Sequence, residues 1–147
     1  MNTAMIDIWY AEAAKPSANA PGPLDVRGVI LEVGLEEGLD VLAAFGDGRA
    51  RYLNHSGNVV IWEGGEGPVA ELAAALIESA KPIAENIGVH DGERPPAPPA
   101  GSMRISVLTE SGLHFGQGPM SAFGSHPMAA PVLDAGVTLM GALVEMR

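Results

Sequence analysis

The chain has 147 residues, 47% of them hydrophobic, with 8 basic and 18 acidic side chains giving a formal net charge of −10. That length fits one domain spanning residues 1–147, and the apolar fraction suits a packed core and is too high for a disordered chain. The lack of cysteine excludes a disulfide framework, a thiolate nucleophile and a zinc–cysteine site. The acidic balance repels phosphate backbones and anionic lipids, so neither nucleic acid nor a membrane surface is expected as a partner.

Residues 3–14 (TAMIDIWYAEAA) read as a short helix, with Thr3 as cap and Met5, Ile8, Trp9 and Glu12 at helical spacing. Lys15-Pro16 ends it, and Pro16–Pro23 forms a stiff connector. No basic region followed by an apolar run opens the sequence, and no stretch approaches the ~20 apolar residues that cross a bilayer. A cytoplasmic location is the expectation.

Across residues 25–38, Val26, Val29, Ile30 and Val33 share one helical stripe, Asp25 suits a cap and Gly38 a C-terminal stop. This predicts a helix, with a strand as its rival because the segment is rich in β-branched residues. Hairpins follow. Leu39–Phe45 is an apolar strand, Gly46-Asp47-Gly48 a turn, Arg49–Asn54 the return strand, and Asn58–Glu63 a third strand after His55-Ser56-Gly57.

Gly64–Pro68 reads as a loop, and Val69–Ile87 as a long helix. Val69, Leu72, Ala73, Leu76, Ala80, Ile83, Ala84 and Ile87 form its apolar stripe, Gly88 caps it, and Pro82 should kink it. Residues 89–101 (VHDGERPPAPPAG) form a proline-rich internal loop of polyproline II character. Met103–Thr109 and Leu113–Gln117 make a further hairpin, and Gly118–Pro127 is glycine-rich, with Met120–Phe123 open to an edge strand. A final helix from about Met128 to Met146 buries Val132, Gly136, Leu139, Met140 and Leu143. Runs of hairpins rather than single alternating strands imply an α+β fold. The expected architecture is an antiparallel five- or six-stranded meander sheet with helices packed on its faces.

The order of elements over residues 25–146 resembles roadblock/dynein light chain-type domains and their longin and profilin-like relatives. The resemblance is carried by the helix ending in Gly38, the strand-turn-strand Val41–Leu53, the alanine-rich helix Val69–Ile87, the later hairpin and the terminal helix. The N-terminal helix, the proline-rich insert and the glycine-rich segment depart from that core. The resemblance implies a non-enzymatic module that dimerises and regulates GTPases or scaffolds partners.

Residues able to carry chemistry are few. His55, His90, His114 and His126 lack metal-ligand spacing, and no metal or cofactor is expected. Ser111, Ser121 and Ser125, with Asp47, Asp91 or Asp134, lack a nucleophile-elbow context; Phe123-Gly124-Ser125-His126-Pro127 comes nearest, without the second glycine. The glycine-rich Gly64-Gly65-Glu66-Gly67 and Gly116-Gln117-Gly118-Pro119 lack the Lys-Ser/Thr of a phosphate loop. Arg49 and Arg51 project from one side of a strand, as an anion clamp or as partners of Asp47 and Glu63. Trp62 and Tyr52 serve equally as core or interface anchors. The leading expectation is a binding or scaffolding module acting as a homodimer, with no catalytic residues. The alternative is a small-molecule sensor or hydrolase-like enzyme whose pocket gathers Arg49, Arg51, His114 and His126 near the 116–127 loop.

Overall fold

A computed structural model of the chain describes residues 3–64 and 66–146. The elements run α1 (Thr3–Ala14), β1 (Gly28–Leu35), β2 (Gly38–Phe45), β3 (Ala50–Leu53), β4 (Val59–Trp62), α2 (Pro68–Ser79), α3 (Lys81–Asn86), β5 (Ser102–Thr109), β6 (Gly112–Pro119), α4 (Met120–Phe123) and α5 (Ala129–Glu145). The six strands form one sheet in the order β4-β3-β2-β1-β5-β6, with every neighbouring pair antiparallel. The fold is α+β, as the hairpin pattern implies.

Residues 25–38 are the main correction. They hold β1 and the start of a tight hairpin rather than a helix, Leu35 pairing Gly38 across the turn Glu36-Glu37. β1 lies between β2 and β5 and is covered on both faces, so its apolar residues run on without alternation. A continuous run such as Val-Ile-Leu satisfies helical spacing by coincidence. Its β-branched residues decide the matter once both edges are paired.

The two sheet faces carry separate cores. On one, α1 packs Ile6, Trp9, Tyr10 and Ala13 against Ile30, Val41, Ala43 and Phe45. This stripe is turned from the expected one, and Ile8 points outward at 58% exposure. Thr3's side chain, the expected cap, lies outside the described residues, as does Gly65 of the Gly64–Pro68 loop. α1 approaches β1 closely because Gly28 has no side chain; a Cβ there would stand 2.6 Å from that of Ala13.

On the opposite face α2, α3 and α5 bury Leu76, Ile83, Val132, Leu139 and Leu143 against Val29, Leu31, Leu42, Ile105 and Val107. Each fully buried aliphatic side chain contributes about 1.5–3 kcal/mol. The expected long helix is broken rather than kinked. Ala80 separates α2 from α3, because Pro82 lacks an N–H and its ring excludes the carbonyl four residues back. The apolar stripe keeps phase across the break, with Leu76, Ala80, Ile83 and Ala84 all buried. Ile87, in extended conformation, ends α3 in place of Gly88. Met120–Phe123 is a helical turn, not an edge strand.

The proline-rich segment is more than a surface loop. It crosses the α1 face as a strap, anchored by His90 N to Leu113 O at 2.7 Å and Gly101 N to Gly34 O at 2.9 Å. Gly34 admits it, since a Cβ there would meet the carbonyl oxygens of Pro98 and Pro99.

Candidate functional site

The sheet separates the residues singled out from the sequence. Arg49 precedes β3 and Arg51 lies on it, both guanidinium groups over the Phe45 ring at 4.8 and 5.3 Å. Arg49 pairs with Asp47 at 2.8 Å and Glu12 at 3.4 Å, and Arg51 approaches Glu63 at 3.9 Å. Lys15 first, and Arg49 after it, hold the Glu12 carboxyl below its ordinary range.

His114 lies on β6, the far edge of the sheet, and is buried. Its Nε2 meets Thr109 Oγ1 at 2.9 Å and its Nδ1 the Ile87 carbonyl at 2.6 Å, tying α3's exit to the last hairpin. His126 sits before α5, where its Nδ1 accepts from Met128 N at 3.1 Å. It borders an apolar cavity of about 280 Å³ with Gly116, Gln117 and Phe123. The four residues therefore do not meet in one pocket.

The remaining histidines are also engaged locally. His55 meets Asp40 at 3.1 Å, and His90 meets the Glu93 carbonyl at 2.8 Å. The Ser111 and Ser125 hydroxyls donate to the carbonyls of Pro23 and Ala122. Among the described residues no three His, Asp or Glu side chains gather as a metal site.

Two arrangements that the sequence reading passed over stand out. The first is a polar row on the α1 face, in which Glu32 and Arg104 are buried and Gln117 is its exposed outer end. Glu32 of β1, Arg104 of β5 and Gln117 of β6 stand opposite one another in register. Arg104 Nη1 reaches Glu32 Oε1 at 3.4 Å and its Nε reaches Gln117 Oε1 at 2.9 Å. The same guanidinium donates to the carbonyls of Pro95, at 3.2 Å, and Pro96, holding the strap. Tyr10 of α1 donates to Glu32 Oε1 and shares a hydrogen bond of 2.8 Å with Ser106 Oγ. Burial raises the Tyr10 phenol's pKa, and the Glu32 carboxylate raises it further. A cavity of about 430 Å³ opens beside this cluster, between α1, the strap and the ends of β1 and β2.

The signal for this cluster is a lone charge of opposite sign in each of two apolar runs, Val-Ile-Leu-Glu-Val and Met-Arg-Ile-Ser-Val. Buried charges require partners, which links such residues across a sheet. Reading residues 25–38 as a helix concealed the link.

The second arrangement is on α5. Ala129, Val132, Gly136, Leu139 and Leu143 are its buried stripe, spaced 3, 4, 3 and 4 residues apart. Leu133, Val137, Met140 and Val144 form a second seam at spacings of 4, 3 and 4. None of these four is buried, and Val137 is 63% exposed. The seam overhangs an apolar groove floored by Leu31, Val33, Leu42 and Met103, with Asp40 at its edge. Over its 17 residues α5 carries only two charges, Asp134 and Glu145.

In comparisons by sequence, no protein-family model and no curated protein matches this chain. Among the described residues no helix is long and apolar enough to cross a membrane.

Proposed function

We propose that the chain is a non-catalytic binding module that works as a homodimer joined through α5. The observation that carries this reading is the second apolar seam on a helix whose other stripe is already buried: Val137 is exposed, and Leu133, Met140 and Val144 are only half-buried at the margin of the core. A solvent-facing side of a monomer's helix normally carries charge, whereas two apolar seams on one helix suit two packing partners.

A second copy of the chain fits the seam in antiparallel orientation. Val137 then faces the partner's Met140, and Leu133 faces the partner's Val144. The same arrangement keeps Asp134 away from its counterpart, whereas a parallel pair would oppose the two carboxylates. A helix of this length extends about 25 Å, so the pair buries on the order of 1,000 Å² in total, near the lower bound of a specific interface. The association is accordingly concentration-dependent. The resemblance to roadblock-type domains implies a dimer too, but its first support, a helix ending in Gly38, is strand β1. The reading rests on α5.

The cysteine-free sequence allows a direct test by oxidation of introduced thiols. A mixture of Val137→Cys and Met140→Cys chains should form mixed disulfides faster than Ile8→Cys chains, whose exposed site lies on α1 across the sheet. Equal rates for all three contradict the interface. Faster coupling of Val137→Cys to itself contradicts the antiparallel orientation.

A further inference from the structure

Glu32 uses one carboxylate oxygen within the chain and leaves the other free. Oε1 accepts from Tyr10 and Arg104, while Oε2 takes no hydrogen bond among the described residues, although Glu32 is only 2% exposed. Oε2 is not among the fully enclosed polar atoms that lack a partner, so it keeps an accessible edge that a donor in the adjoining space can reach. Space for that donor is present. Glu32 forms part of the wall of the 430 Å³ cavity, whose volume lies in the range of small-molecule sites.

The rest of the lining defines the ligand. Ile6, Leu39 and the strap residues Pro95, Pro96 and Ala97 are apolar. Of the charged groups there, Arg94 is already matched by Asp7 and stacked on the Tyr10 ring at 4.0 Å, and Glu93 adds a second carboxylate. Opposite Glu32, Arg104 pairs with Oε1 at 3.4 Å and is otherwise committed to Gln117 and to the strap carbonyls. The cavity wall itself carries two carboxylates, Glu32 and Glu93, against the one cation Arg94, which Asp7 already matches, so its net charge favours a cation.

We infer that this cavity is a binding site for a small aliphatic amine, its ammonium donating to Glu32 Oε2 and its hydrocarbon body lying against Ile6, Leu39 and the proline strap. The strap forms the outer wall, so a bound amine also steadies residues 93–97. The inference does not depend on the α5 interface, which lies on the opposite face of the sheet.

The test uses the full chain with butylamine as probe, and butanol and butyrate of similar size as controls, read by calorimetric titration and by thermal unfolding. Butylamine should bind saturably and raise the unfolding temperature, butanol more weakly, and butyrate not at all. Glu32→Gln keeps an acceptor for Tyr10 and Arg104 but presents an amide to the cavity. It should weaken butylamine by about tenfold or more, the worth of a charge-assisted hydrogen bond. Ala97→Phe, at an exposed strap position, should block the cavity without touching Glu32. Absence of saturable binding to the wild-type chain overturns the inference. So does equal binding of amine and butyrate, or undiminished binding by both folded variants.

Discussion

Glu32 and Arg104 stand directly opposite one another on β1 and β5, 3.4 Å from Oε1 to Nη1, in the interior between the sheet and its proline strap. Removing one member of such a pair leaves the other charged and buried. Arg104→Met should therefore destabilise the fold by about 3–5 kcal/mol. The double change Glu32→Gln with Arg104→Met should lose less than the sum of the two. Urea unfolding of the three variants measures the coupling. Because Arg104 also grips the Pro95 and Pro96 carbonyls, limited proteolysis should cut residues 93–99 faster in Arg104→Met.

The hairpins and the final helix were legible because their signals are local. Asp47-Gly48 turns and strand alternation need no tertiary information, and the α5 stripe recurs over many turns. β1 was not, since a strand covered on both faces loses its period of two and only pairing with β2 and β5 distinguishes it. The break at Ala80 was half legible: Pro82 marks it, but in-phase burial of Ile83 and Ala84 hides it. The polar cluster was unreadable for a different reason. Tyr10, Glu32 and Arg104 lie 22 and 72 residues apart and meet only after the sheet has formed.

Tyr10 ties stability to pH on the alkaline side. Its folded pKa is raised above the ordinary 10.0, first by burial and then by Glu32, so the folded state holds the phenolic proton more tightly than the unfolded state. That contribution is complete below about pH 10 and is lost as pH climbs toward the folded value. Tyr10→Phe should be less stable at neutral pH by about 1–2 kcal/mol through its lost hydrogen bonds. It should also decline less steeply above pH 10. Denaturant unfolding at a series of alkaline pH values separates the two effects.

Two glycines allow close approach, and they should respond differently to alanine. At Gly34 the added Cβ meets strap backbone, the carbonyls of Pro98 and Pro99, which cannot turn aside. At Gly136 it meets Leu31 Cδ1 at 2.6 Å, the end of a flexible side chain. Gly34→Ala should cost about 1–3 kcal/mol and loosen the strap, while Gly136→Ala costs less because Leu31 shifts and helix propensity improves. Thermal unfolding and hydrogen exchange over residues 93–101 read both.

His114 belongs to the scaffold rather than to a site. Both ring nitrogens are satisfied by Thr109 and the Ile87 carbonyl. His114→Ala should lower stability by roughly 1–3 kcal/mol through the unsatisfied groups it leaves, without changing self-association. His126→Ala, at an exposed turn, should change stability by well under 1 kcal/mol.

The central claim is that two chains meet through α5, and molar mass by light scattering over a concentration series tests it most directly. The wild-type chain should rise from 15.1 kDa toward twice that value as concentration increases. Val137→Glu, which places a charge in the exposed seam without entering the core, should remain at the monomer mass throughout. A wild-type chain that stays monomeric at every concentration, or a Val137→Glu chain that dimerises as well as the wild type, would contradict the account.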